Sequence, residues 1–137
     1  MMMTDAQILR KLRSEPRQVT RLREKYLAEM RRGLAEEQEA IATLCRMWPA
    51  AFPKQPGRIR PLGLGIIPRI RAATGWSRAY TRGVLTAWRS RGGYCEAVLR
   101  YERRYDLTGV ETRQTVDVWA RAKARKRLAL LAARRAM

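Results

Sequence analysis

Apolar residues at Val19, Leu22, Tyr26, Met30, Leu34, Ile41, Leu44 and Trp48 are separated mostly by three, four or seven positions. That spacing lines one side of an α-helix, and no strand accommodates it. A helix is therefore expected from Arg17 to about Trp48, where Pro49 ends it. Gly33 is expected to mark a break near its middle. The Glu36, Glu37 and Glu39 cluster reads as a solvated helix face rather than a metal or acid site. Ahead of it, Thr4 suits the cap of a short amphipathic helix over 4–13, with Ile8 and Leu12 on one side, before Pro16 interrupts.

Beyond Pro49 the chain is cut into shorter pieces by Gly and Pro. Residues 50–61 read as a linker or loop. Arg60 to Ile66 follows, irregular or weakly extended, then a short helix over about 67–74 that Gly75 stops. Ser77 is a good N-cap for a helix to about Arg91. Gly92-Gly93 should break it, with another short helix over Tyr94 to Leu99. Alternation from Arg103 to Leu107 and from Val110 to Thr112, around Thr108-Gly109, predicts a β-hairpin. A last helix is expected from about Arg113 to the C-terminus. Val116, Trp119 and Ala120 should dock on the core, and the run Lys123 to Arg127 should be solvated.

Charge narrows the partners. The 137 residues carry 30 Lys+Arg, 12 Asp+Glu and no His, a net of +18. Residues 1–53 account for only +3 of this, ten basic against seven acidic, while residues 54–137 hold twenty basic and five acidic, a net of +15. A surface of this kind attracts a polyanion. Twenty-five of the basic residues are Arg, whose planar fork matches phosphate and stacks on bases. Cys45 and Cys95, fifty residues apart with apolar neighbours, fit neither zinc spacings nor a disulfide scaffold and suggest reduced packing in a cytoplasmic protein. Met1-Met2-Met3 leads straight into polar residues, so no leader is expected.

The segment 77–91 carries its charges where a helix does not want them. A helix N-terminus prefers acids, yet Arg78 occupies the first turn and Arg82 the next, with no acid between Ser77 and Arg91. Like charges at i,i+4 add a further cost. At about 100° per residue, Arg78, Arg82 and Arg89 fall within roughly 40° of one another. Thr86 extends that stripe, while Tyr80, Thr81, Val84 and Trp88, with Leu85 at the border, form the side to be buried. Exposed amides, a positive helix end and two arginines make an anion site.

Several short motifs, in order, resemble the ProQ/FinO family of bacterial RNA chaperones. They are Trp48-Pro49-Ala50-Ala51-Phe52, then Arg60-Pro61-Leu62 with Gly65-Ile66. The helix from Ser77 follows, with the single Tyr94 after it, and last Arg104-Tyr105-Asp106-Leu107-Thr108-Gly109. The likeness covers about residues 44–125. It implies a mainly α fold, a small helical domain with a short β-hairpin, flanked by an N-terminal helical extension (1–43) and a basic C-terminal helix end (126–137). It also implies binding of structured RNA, a terminator-like hairpin with a single-stranded 3′ tail.

By the same resemblance Arg82 takes the place of the principal RNA-binding Arg, Tyr94 that of a pocket Tyr, and Arg104 that of the Arg entering the hairpin. Arg78 replaces a basic residue at the helix start. Arg60 matches the opening motif, in a structural role as readily as a functional one, and Tyr94 also suits a half-buried core aromatic. Leu99, Thr86 and Gly63 depart from basic family positions, and Arg100 and Arg103 stand close enough to restore charge; Arg89 completes the candidates.

The function expected is an RNA chaperone of small or antisense RNA and its target mRNA in post-transcriptional regulation, without cofactor, metal or small-molecule substrate. A DNA-binding or nucleoid-associated protein is the alternative. A membrane-surface role for residues 116–137 is weaker. An enzyme is not expected: the chain has no His and no G-x-x-x-x-G-K-[ST] loop. The few carboxylates of its second half are scattered, and Asp106 reads as turn chemistry.

Overall fold

The computed structural model describes residues 4–7 and 16–137. Thr4 caps as expected: its hydroxyl accepts from the Gln7 N–H at 3.3 Å while the Gln7 side chain accepts from the Thr4 N–H at 3.0 Å, a reciprocal capping box. Ile8 and Leu12, expected on one side of that helix, lie outside the described residues. Helix α1 spans Pro16–Met47. Where the helix over 4–13 ends lies outside the described residues; Pro16 opens α1, one residue ahead of the expected start, because a proline at the first helical position lacks only an N–H that would have no helical partner. Gly33 does not break it; exposed on all sides, it costs helix propensity and nothing else.

The chain divides into two compact units, residues 1–39 and 40–137. In the first, Tyr26, Leu27, Met30 and Leu34 are exposed, and Glu36, Glu37 and Glu39 lie in solvent as expected. The second unit begins within α1, whose Ala40, Ile41 and Leu44 enter the core.

Of the two readings of residues 50–61, linker or loop, the structure shows the loop: irregular backbone packed into the second unit. Ala51, Phe52, Pro53 and Ile59 are buried, and Phe52 meets the Trp88 ring edge-on at 5.2 Å. Density of Pro and Gly marks irregular backbone, not exposure, and here the irregular segment carries core side chains. A single 3-10 turn at Pro56–Arg58 rises from it.

Helix α2, Ile67–Thr74, ends as expected at Gly75, whose φ of 76° is the left-handed conformation that glycine adopts freely. Helix α3, Arg78–Arg89, starts where the Ser77 hydroxyl accepts from the Tyr80 N–H. Its buried side is Thr81, Val84, Leu85 and Trp88. Thr81 can be fully buried because its hydroxyl donates to the Ser77 carbonyl at 2.8 Å. Tyr80, expected on that side, is instead exposed and packs edge-on against Trp76. Helix α4 runs Gly92–Arg100, so the two glycines form its first turn rather than a break before it.

Strands β1, Arg103–Tyr105, and β2, Glu111–Thr115, make the expected antiparallel hairpin, with an irregularity in its register. Between them Asp106 accepts from the N–H groups of Thr108 and Val110 and from the Thr108 hydroxyl. The Thr108 hydroxyl first, then the backbone N–H donors, hold the Asp106 carboxyl below the ordinary value of 3.8. Residues 113–115, expected to open the last helix, belong to β2. Helix α5, Val118–Arg135, starts only after Asp117 caps it, and runs unbroken through residues 125 and 126.

Helix α5 lies against α4 through Ala120, Ala124 and Leu128, spaced four apart. Trp119, one residue and about 100° away from Ala120, is therefore 84% exposed rather than docked. Val116 is buried and Ala120 partly buried, as expected. Of the Lys123 to Arg127 run, Lys123, Arg125 and Lys126 are exposed, Ala124 is buried, and Arg127 donates to the Ser90 carbonyl at 3.0 Å.

Candidate nucleic-acid interface

Two of the eight candidate residues, Tyr94 and Arg104, converge on the segment Arg60-Pro61-Leu62, which carries a third, Arg60. The Tyr105 N–H donates to the Pro61 carbonyl at 2.8 Å and the Gly63 N–H donates to the Tyr105 carbonyl at 2.7 Å, so this segment lies beside β1 almost as a third strand. A Cβ on Gly63 would sit 3.2 Å from that carbonyl oxygen, which accounts for a glycine here. Tyr94 then clamps the segment: its hydroxyl accepts from the Leu62 N–H at 3.1 Å. Arg104 clamps it from the same residue, Nη1 donating to the Leu62 carbonyl at 3.1 Å. On the other face of the strand, the Arg60 guanidinium lies 4.8 Å from the centre of the Tyr105 ring.

Tyr94 and Arg104 are 4% and 7% exposed. Both hold backbone in place, and Arg104 Nε has no hydrogen-bond partner among the described residues. Burying a charged guanidinium with one N–H unmatched costs free energy, which the Nη1 bond to the Leu62 carbonyl offsets in part.

The other candidates are open to a ligand. Arg78 and Arg82 are exposed and Arg89 half-buried on α3, along one stripe of a helix with no acid in its first turn. Arg100 ends α4 and Arg103 opens β1, both exposed. Thr86, on the same stripe, donates its hydroxyl back to the Arg82 carbonyl at 2.8 Å, so it adds no charge.

Sequence reasoning passed over Lys54 and Arg58, both exposed on the loop over 50–61, and the local partners of Arg121 and Arg91. Arg121 donates to the Tyr101 carbonyl at 3.4 Å, and Arg91 lies 4.9 Å from the Trp88 ring centre. The two cysteines are free. Cys95 is buried, and that burial pushes its thiol pKa up against the opposing pull of Arg127. Cys45 is only half-buried. Among the described residues no three His, Cys, Asp or Glu gather as a metal site, and no helix is long and apolar enough to cross a membrane.

The sequence model of the ProQ/FinO family matches residues 34–137, a span that holds the capped basic helix, the clamped Arg-Pro-Leu segment and the short hairpin. The chain belongs to the ProQ/FinO family. No curated protein matches it by sequence. Its fold is that of two solved structures. The solution structure of a ProQ homolog from Legionella pneumophila superposes with a TM-score of 0.54 at 21% identity, covering 67% of this chain and 80% of that one. A FinO-like RNA chaperone from Neisseria meningitidis gives 0.50 at 20% identity, covering 78% and 93%.

Proposed function

We propose that this ProQ/FinO-family chain is an RNA chaperone that binds a structured small or antisense RNA, a hairpin with a single-stranded 3′ tail, and promotes its pairing with a target transcript. The carrying observation is α3, where Arg78 and Arg82 occupy the positive end of a capped helix without any acid in its first turn. Phosphate answers that arrangement with charge-assisted hydrogen bonds to side chain and amide together. The family membership and the FinO-like RNA chaperone among similar structures support RNA as the polyanion.

Arg78, Arg82 and Arg89 bind the backbone of the stem, with Arg100 and Arg103 as further phosphate partners. Neutralised strands approach one another at lower cost, which is how a chaperone speeds pairing. Tyr94 and Arg104 hold Leu62 and its neighbours in register for the tail, and Arg104 adds buried positive charge. Duplex RNA hides its base edges, so shape, backbone and 2′-OH carry recognition. The reading excludes catalysis and places the protein in the cytoplasm, where such RNAs are made.

The test is competition. A labelled RNA hairpin with a 3′ tail, bound to the full chain, should resist displacement by duplex DNA of equal length and yield to unlabelled tailed hairpin. Equal displacement by DNA would favour the nucleoid-type reading.

A further inference from the structure

Lys54, Arg58 and Arg60 line a cleft of about 600 Å³ together with Tyr101, Gln55 and Cys45, and no carboxylate lines it. We infer that this cleft is a second RNA site that takes one unpaired nucleotide, its phosphate on the three cations and its base against Tyr101. The inference rests on the RNA-binding reading above and goes beyond it, because none of the α3 residues takes part.

One wall is built from a stack. Arg60 lies on the Tyr105 ring at 4.8 Å, and Tyr101 meets the same ring edge-on at 5.7 Å. Arg121 holds the Tyr101 carbonyl. The 3-10 turn also lines the cleft through Gly57 and Arg58, fixed by the Arg58 N–H to Gln55 and the Ile59 N–H to Pro56 carbonyl bonds. That turn is pressed onto α4 at Gly93, where an added Cβ would come within 3.1 Å of Ile59 and 3.3 Å of Pro56. Lys54 and Arg58 are exposed, yet the backbone carrying them is pinned from two sides. Pro49 and Ala50, both exposed, also line it, an apolar surface suited to a base rather than to a bare anion.

The cleft is separate from the Leu62 clamp. Successive strand side chains point to opposite faces, so Tyr105, which carries Arg60, turns away from Arg104, which holds Leu62. A volume of this size suits a small-molecule fragment such as a nucleotide. Stacking on an aromatic ring with cations at the phosphate is the usual way an unpaired base is held.

Cys45 in the cleft gives a reporter that the α3 surface does not share, since Cys95 is buried. Alkylation of Cys45 by N-ethylmaleimide is followed by mass mapping on the full chain. It is measured alone, with a saturating RNA hairpin carrying an eight-nucleotide single-stranded tail, and with the same stem lacking the tail. The tailed hairpin should slow alkylation about tenfold and the bare stem less than twofold. Lys54→Ala with Arg58→Ala should weaken the tailed hairpin about tenfold, leave the bare stem within twofold, and abolish protection. If the tailed hairpin binds and Cys45 reacts at the unprotected rate, the cleft is empty and this inference is overturned while the α3 reading stands. Protection by polyglutamate as strong as by the tailed RNA overturns it as well, because the cleft would then be a general anion groove. If neither RNA binds, the RNA reading itself falls, and this one with it.

Discussion

Single residues decide whether the second unit closes. Gly109 has φ 85°, and a Cβ there would lie 2.8 Å from the Ala50 Cβ, so Gly109→Ala meets both a strained backbone and a clash. It should cost about 2 kcal/mol, read as a fall in Tm of several degrees; an unchanged Tm would mean that the hairpin and residue 50 are not held together. Tyr94→Phe should strand the Leu62 N–H and lower stability by about 1–3 kcal/mol. By contrast Arg82→Ala, exposed and without structural duty, should leave thermal unfolding within about 0.5 kcal/mol while weakening hairpin RNA by about 1–3 kcal/mol. Asp106 supplies a pH limb. With its folded pKa lowered, its contribution is complete above the ordinary value of 3.8 and is lost as pH falls through the lowered folded value. Asp106→Asn should flatten that acid limb in melting curves; identical limbs would remove the carboxylate from the turn's stability.

At the scale of elements, what could be read from the sequence was what neighbours in the chain decide. Ser77 and Thr4 as caps, Gly75 as a stop, the hairpin turn at Gly109 and the arginine stripe of α3 all follow from spacings of seven residues or fewer, and all are found. Failures came where a distant partner decides. Phe52 was placed in a linker or loop, and its burial there was not legible because nothing near it in sequence predicts Trp88. Trp119 looked like a core residue because the start of α5 depends on β2 continuing to Thr115, which the Gln114 side chain reinforces by accepting from the Leu64 N–H at 2.8 Å. The same limit applies to the candidate site. Exposed arginines were legible, whereas the burial of Tyr94 and Arg104 against Leu62 needed three separate segments to meet. The division of the chain carries its own expectation: a protein beginning at Ala40 should fold cooperatively and keep most of its hairpin affinity, since the core residues from Ala40 onward are retained. Far-ultraviolet circular dichroism with an RNA titration checks this; loss of folding would make the earlier turns of α1 part of the domain.

For the molecule as a whole, the controlling fact is that +15 of its +18 charge resides in residues 54–137. A protein so charged must meet its partner mainly through counterion release, which makes affinity a steep function of salt and only weakly a function of sequence. The family fold fixes where those charges stand, and α3 concentrates them without acidic relief. The central claim is therefore tested most directly by titrating a tailed RNA hairpin with the full chain over a range of salt concentrations, alongside Arg78→Ala/Arg82→Ala. The unaltered chain should give a log–log slope of about −4, corresponding to roughly five phosphates neutralised, and the double variant a slope shallower by about one to two units. A nearly flat dependence, or the same slope in both proteins, would contradict the assignment of α3 as the RNA-binding surface.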